Sequence, residues 1–328
     1  MVNMNDVAKL AGVSRGTVSN YINGVKLKEV SRQKVEAAIK ELGYIPNTNA
    51  RDLKRNRSDL VAFIIPTTHT PFFAELVYEM QQGLKQNGFK LLLCISNHNI
   101  DEELDYIQMA KEQKVAGIIT ISYSDLPVEL LNGVPIVSIE KKLSDKIPCI
   151  SSENSKGGAL AAETLIEKGA KHLLIVTRTT DKSVFNYGQR MQGFLRVCKE
   201  KNIPYTIFNP ESHEDEFYKQ LEVFIEEEFS GGSPIDGVFA VSDQYADFFI
   251  HRLEKLDYKI PQDVQVVGFD GGSMYSEQEQ VISSIRQPVA EMVKQCIEQL
   301  QGILSQGSTQ EKDIIFLPVT YVQGLTTK

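Results

Sequence analysis

The sequence predicts a small all-α helix-turn-helix head followed by an α/β body of two doubly wound parallel-sheet subdomains, and three observations predict it. Residues 4–23 read as two short helices joined at Gly12-Val13. From Leu60 onward, buried apolar strands alternate with amphipathic helices in two successive series. Charge also changes sign between the two regions: through Ser58 there are eleven basic and five acidic side chains, a net of +6, and the remainder carries −14. A basic head neutralises phosphates through counterion release, and an acidic body is discouraged from lying on the duplex.

In the head, Asn3 caps a first helix with Asp6 in the capping-box position, and Val7, Leu10 and Ala11 form its inner face. Gly12 supplies the residue that takes a positive φ where the chain turns. Ser14 caps a second helix whose Val18 and Ile22 point inward, leaving Arg15, Gly16, Thr17 and Asn20 outside, where they would face DNA. A third helix, capped by Ser31, turns Val35, Ala38, Ile39 and Leu42 inward and ends at Gly43. An ordinary helical hairpin with a solvated face would show the same pattern. Residues 47–58 have only Ala50 and Leu53 as core-like side chains, too few to hold so short a helix in water, so they read as a linker that folds against DNA or a second copy.

The body begins with expected strands at Leu60 to Pro66, Lys90 to Ser96, Gly117 to Ile121 and Val134 to Ile139, with helices at Phe73 to Asn87 and Asp101 to Gln113. The second series places strands at His172 to Val176, Tyr205 to Phe208, Asp236 to Val241 and Val264 to Phe269. Its helices are Asn154 to Lys168, Gln189 to Lys201, Glu214 to Phe229 and Tyr245 to Leu256. A helix from Val289 to Ser305 and strands at Asp313 to Leu317 and Thr320 to Gln323 come last. The 328 residues suffice for a head of about 60 residues and one large or two mid-sized units. No apolar run reaches the ~18 residues of a membrane span and no secretory leader is legible, so a cytoplasmic protein is expected. Cys94, Cys149, Cys198 and Cys296 are far apart in apolar surroundings and read as reduced thiols, with no metal site and no cofactor.

Six segments carry a resemblance: Asp-Val-Ala-Lys-Leu-Ala-Gly-Val-Ser at 6–14, Thr-Val-Ser at 17–19, Leu-Gly-Tyr-Ile-Pro-Asn at 42–47, Pro-Phe-Phe-Ala-Glu-Leu at 71–76, Arg-Met-Gln-Gly-Phe at 190–194 and Val-Val-Gly-Phe-Asp at 266–270. With them the chain resembles the lactose-repressor (LacI/GalR) family of transcriptional regulators along essentially its whole length. The resemblance implies a homodimer whose heads read a pseudo-palindromic double-stranded operator. It also implies a type I periplasmic-binding-protein-like body that clamps a small effector between two subdomains crossed three times by the chain. The implied divisions are 1–46 for the head, 47–58 for a hinge helix, 59–156 with 288–317 for the amino-terminal subdomain, and 157–287 with 318–328 for the carboxy-terminal one. Arg15, Gly16 and Asn20 fall where the family reads base edges, and Ser14, Thr17, Asn23 and Tyr44 where it touches phosphate. Leu53 matches the leucine that wedges between base pairs from the minor groove, with Ala50 packed beside it. The chain departs from the family by carrying Asn20 where arginine is common, by the bare Gly16, and by ending Gln323-Gly-Leu-Thr-Thr, without the usual Arg-x-Ser.

Doubly wound sheets place ligands at the carboxyl ends of their strands. There the sequence offers His69, Thr70, Phe72 and Phe73 after the first strand, Glu140 after the fourth, Arg190 at the start of a helix, Asp243 and Asp270 in the second subdomain, and Gln287 at a crossover. Aromatic faces among hydrogen-bonding groups suit a sugar or sugar phosphate. Phe72 and Phe73 also read as core, and Asp243 also reads as a helix cap. An enzyme is disfavoured by the absence of G-x-x-x-x-G-K-S/T, G-x-S-x-G, H-E-x-x-H and C-x-x-C. The alternative within the family is a global catabolite regulator controlled by a phosphorylated carrier protein. Whether an effector releases or tightens the operator complex is not written in these residues. No leucine-heptad tail follows the last strand, which predicts a dimer.

Overall fold

The computed structural model describes residues 2–22, 24–45, 58–178, 186–211, 214–273, 275, 277–306 and 314–328. The chain forms two compact units, Met1–Ser58 and Asp59–Lys328. The first holds α1 (Met4–Ala11), α2 (Arg15–Ile22) and α3 (Glu29–Leu42). Asn3 and Asp6 make both hydrogen bonds of a capping box on α1, and Gly12 ends it at φ 63°. Val7, Ala8, Ala11, Val18, Val35 and Ala38 form the core of the head, with Ile22, Ile39 and Leu42 packed against it.

Two expectations in the head are corrected. Leu10 is 45% exposed. At 100° per residue, Val7, Ala8 and Ala11 span one stripe and Leu10 falls beyond its edge. Ser31 does not cap the third helix, which starts two residues earlier with Lys28 at the N-cap. The early start places Glu29 in the first turn, where the helix dipole favours it and where Arg32 donates to both its oxygens at 2.7 and 3.1 Å.

The body is built on two six-stranded sheets. In chain order the first series is β1 (Leu60–Ile65), α4 (Pro71–Gln86), β2 (Lys90–Ile95), α5 (Ile100–Glu112), β3 (Gly117–Thr120), β4 (Ile136–Ile139) and β5 (Cys149–Ser152). The second is α6 (Asn154–Glu167), β6 (Leu173–Val176), α7 (Tyr187–Glu200), β7 (Tyr205–Phe208), α8 (Glu214–Phe229), β8 (Gly237–Ala240), α9 (Asp243–Lys255), β9 (Gln265–Asp270) and β10 (Ser284–Arg286). The chain closes with α10 (Val289–Gln306), β11 (Ile314–Leu317) and β12 (Thr320–Val322). One sheet runs β11-β5-β4-β3-β1-β2 and the other β12-β10-β9-β8-β6-β7. All pairings are parallel except β10 with β12, which is antiparallel. The chain therefore passes between sheets after β5, after β10 and after β11.

Apolar side chains of α4 and α10 cover one face of the first sheet, and those of α5 the other. The second sheet is filled by an aromatic-rich core that includes Phe194, Phe217, Phe239, Phe249 and Phe269. Strands β5 and β10 were not legible in the sequence. They are four and three residues long and carry serines, but Ser151 and Ser152 are buried with their hydroxyls donating to the Ser152 carbonyl and to Gln287. A strand whose polar side chains are satisfied internally has no apolar signature.

The crossing of α6 and α7 sets the geometry of everything near it. A Cβ at Gly158 would lie 1.8 Å from the Arg190 carbonyl oxygen, and one at Gly193 1.8 Å from that of Ser155, so the helices meet backbone to backbone. Gly193→Ala is therefore expected to destabilise the body by about 3 kcal/mol, the upper range for overpacking. Gly302→Ala, in α10 with open space around it, is expected to stabilise by about 0.8 kcal/mol. Urea titrations of both variants check the opposite signs.

Candidate functional site

A cavity of about 340 Å³ opens between the two sheets of the body. From the first sheet, the turn after β1 contributes Thr67, His69, Thr70, Phe72 and Phe73; later strand ends add Asn97, His98, Ile121, Tyr123 and Glu140. The second sheet adds Arg178 after β6, Asn186, Tyr187 and Arg190 around the start of α7, Ser242, Gln244 and Tyr245 around the start of α9, and Asp270 at the end of β9. Gln287, beyond β10, completes the wall. Thr70 caps α4 by accepting from the Phe73 N–H, which presents the edge-to-face pair Phe72 and Phe73, 5.2 Å apart, at the cavity.

Arg190 is the centre of the polar wall. It is 3% exposed; its Nε donates to Asn154 Oδ1 at 2.7 Å and its Nη1 to the Val241 carbonyl at 2.6 Å. The guanidinium lies over the Phe269 ring, 3.5 Å from its centre, and 3.7 Å from Asp270 Oδ1. Such a charge is tolerable only because it is paired, stacked and hydrogen-bonded. Asn154 passes the link on, its Nδ2 donating to Glu140 Oε2 at 2.7 Å. Glu140 also accepts from the Ser152 N–H at 2.7 Å and from the Asn186 amide at 3.2 Å. A second chain runs from Ser152 Oγ to Gln287 Oε1 and from Gln287 Nε2 to Asp270 Oδ1, both at 2.7 Å. Both chains join groups on the first sheet to groups on the second.

Two carboxylates sit close together here, Asp270 on the wall and Asp243 behind it. Burial raises the pKa of Asp270 to about 6, against the opposing pull of Arg190 and Gln287, and its backbone is held at φ 115°. Burial and the neighbouring Asp270 push Asp243 well above the ordinary carboxylate value. Of the nine expected effector contacts, Asp243 is the one that does not line the cavity. It accepts from the Gly271 N–H at 2.7 Å and the Ser284 hydroxyl at 2.6 Å, so it fixes the turn that carries Asp270. Nor does it cap α9: Ser242 does, accepting from the Tyr245 N–H.

The sequence reading omitted His98, Tyr123 and Arg178, although the strand-end rule applied to β2, β3 and β6 reaches them. Asn186 and Tyr187 gave no comparable signal. Their place follows from the helix crossing that positions Arg190.

In the head, Arg15, Gly16 and Asn20 lie exposed on α2. Ser14 Oγ accepts from the Thr17 N–H at 3.1 Å and lies 3.0 Å from the Thr17 hydroxyl, tying both to the helix start. Tyr44, expected to touch phosphate, is only 9% exposed and packs in the core of the head. Asn23, Ala50 and Leu53 lie outside the described residues. Among the described residues no cluster of His, Cys, Asp and Glu is arranged to hold a metal ion, and no helix is long and apolar enough to cross a membrane.

Comparison with known proteins matches residues 3–47 to the bacterial regulatory proteins of the lacI family and residues 162–327 to the periplasmic binding protein-like domain. A sucrose operon repressor of Streptococcus mutans is 32% identical over 98% of both chains. A ribose operon repressor of Lactococcus lactis is 29% identical over 100% of this chain and 98% of its own. The crystal structure of the lac repressor dimer bound to operator and the anti-inducer ONPF shares the fold, with a TM-score of 0.82 over 99% of both chains at 22% identity.

The raised Asp270 pKa has a signed consequence. Between the unfolded value of 3.8 and the folded value of about 6, the folded state binds more protons than the unfolded one, so this group's contribution to stability falls as pH rises through that window. Asp270→Asn removes the penalty. Its urea midpoint is expected to gain on the wild type from pH 4 to pH 7, the difference levelling off above the folded pKa.

Proposed function

The chain belongs to the lacI family of bacterial regulatory proteins, and from that premise we propose that it is a DNA-binding repressor of carbohydrate-use genes whose grip on its operator is set by a sugar held in the body cavity. The observation that carries this reading is the cavity wall itself, where Arg190, Glu140, Asp270 and Gln287 form one hydrogen-bonded system flanked by aromatic rings. A sugar presents hydroxyls that both donate and accept, together with C–H faces that stack on rings, and this wall offers partners for each. Relatives along the whole chain are named as sucrose and ribose operon repressors. A cavity of about 340 Å³ has room for a small molecule and not for a folded carrier protein, which favours the small molecule as the controlling ligand.

We assign base reading to Arg15 and Asn20 on the exposed side of α2, with Gly16 allowing close approach, and backbone contact to Ser14 and Thr17. Arg15 can grip guanine bidentately and Asn20 adenine. The protein acts as a cytoplasmic homodimer, with boundaries at 59–156 with 288–317 and 157–287 with 318–328 for the two effector subdomains. Two of its carboxylates are committed to holding the fold, Glu140 accepting from three donors and Asp243 from two, which leaves Asp270 for recognition. A sugar touching both sides of the cavity binds one degree of closure better than another. That differential affinity is what reaches the operator.

Selection from random duplexes by the full chain is expected to recover a pseudo-palindrome. Fluorescence anisotropy on that site, with sucrose, ribose and other sugars added in turn, should show at least one that changes operator affinity about 5- to 150-fold. A chain indifferent to every sugar but responsive to a phosphorylated carrier protein would favour the alternative. Arg15→Ala should lose about 1–3 kcal/mol of discrimination at one base pair of each half-site, read by comparing that site with its single-base variants.

A further inference from the structure

Glu75 lies on α4, which packs on the first sheet, and Arg286 ends β10 in the second. Arg286 Nη2 donates to Glu75 Oε1 at 2.7 Å, and the Ser273 N–H donates to Glu75 Oε2 at 3.0 Å. Both oxygens of one carboxylate are thus held by donors from the opposite subdomain. The other arm of the Arg286 guanidinium donates to the Gly271 carbonyl, which locks the 271–273 turn to the same pair. Between these bonds the backbones touch. A Cβ at Gly272 would come within 2.4 Å of the Phe72 nitrogen, so the turn lies directly on the first turn of α4. Neither Glu75 nor Arg286 is on the cavity wall, yet each has chain neighbours there: Phe72 and Phe73 near one, Asp270 and Gln287 near the other.

We infer that Glu75 and Arg286 are positioning residues that clasp the two subdomains and set the fraction of molecules closed enough to hold the effector. The pair lies on elements of different sheets, so separating the sheets breaks it, whereas an ion pair within one subdomain survives that motion. A forked guanidinium serves Glu75 and Gly271 together, and a lysine ammonium at the end of a shorter reach cannot keep both. Apparent effector affinity scales with the closed fraction. The clasp thus tunes response without touching ligand. The affinity part of this inference rests on the reading of the cavity as a sugar site; the closure part does not.

A reporter thiol separates the two. The four native cysteines are buried, and Ile121→Cys places a thiol on the cavity wall, where iodoacetamide reaches it only when the cleft opens. In the full-length protein, adding Glu75→Gln or Arg286→Lys is expected to speed labelling of that thiol about fivefold, with labelling of the native cysteines unchanged. The double substitution should be no faster than the faster single one. Calorimetric titration with sucrose and ribose, carried out on Glu75→Gln and Arg286→Lys proteins that keep Ile121, should show a matching fall in affinity for the one that binds. Labelling within twofold of the clasped protein, or two single effects that multiply in the double variant, overturns the clasp whatever the sugars do. Faster labelling in a protein that binds neither sugar supports the clasp and counts against the sugar reading.

Discussion

The burial of one guanidinium constrains the rest of the body. Arg190 is removed from water, and a charge in that position persists only where acceptors, a counter-charge and a π face are supplied together. Asn154, the Val241 carbonyl, the Phe269 ring and Asp270 supply them. Bringing Asn154 and Arg190 within 2.7 Å requires α6 and α7 to cross backbone to backbone, which only the bare glycines 158 and 193 permit. Stacking on Phe269 in turn fixes the end of β9, where Asp270 leaves the sheet at φ 115°. Backbone strain of this kind is held by its surroundings, here by Asp243 grasping the next amide.

The three carboxylates near the cavity are differentiated by their donors. Glu140 is saturated by Ser152, Asn154 and Asn186, and Asp243 is occupied by Ser284 and Gly271. Asp270 takes Gln287 and the more distant Arg190 on a single oxygen, and among the described residues no donor reaches its other one. Burial without full satisfaction accounts for its upward pKa shift, and it leaves an acceptor for a hydroxyl group brought by a ligand. Under the proposed function, the same residue that weakens the protein above pH 6 is the one best placed to recognise a polyol.

Much of the architecture was legible because periodicity reports burial. The runs at Leu60–Ile65 and Leu173–Val176 are apolar throughout because both faces of each sheet are covered, and the amphipathic helices between them fix parallel pairing. What failed to show was structure held by polar satisfaction: β5 and β10, the Asn186–Tyr187 turn, and the roles of Ser152 and Asn154. Those side chains look like loop residues until their partners, far off in sequence, are known. Leu10 misled for the opposite reason, since an apolar side chain at the edge of a short helix need not be buried. Eight of the nine proposed cavity residues are on the wall because strand ends are fixed by topology. The orientation of each group there is a tertiary property.

In the proposed function head and body answer to different chemistry, phosphate and base edges for one and hydroxyl groups for the other, with control resting on a cavity organised around Arg190. The most direct measurement is thermal unfolding of the wild type and of Arg190→Lys across a panel of sugars. Ammonium keeps the charge but cannot reach Asn154, Val241 and Asp270 at once. The account predicts that at least one sugar raises the wild-type midpoint and that none raises that of the folded variant. An equal rise in both would contradict it.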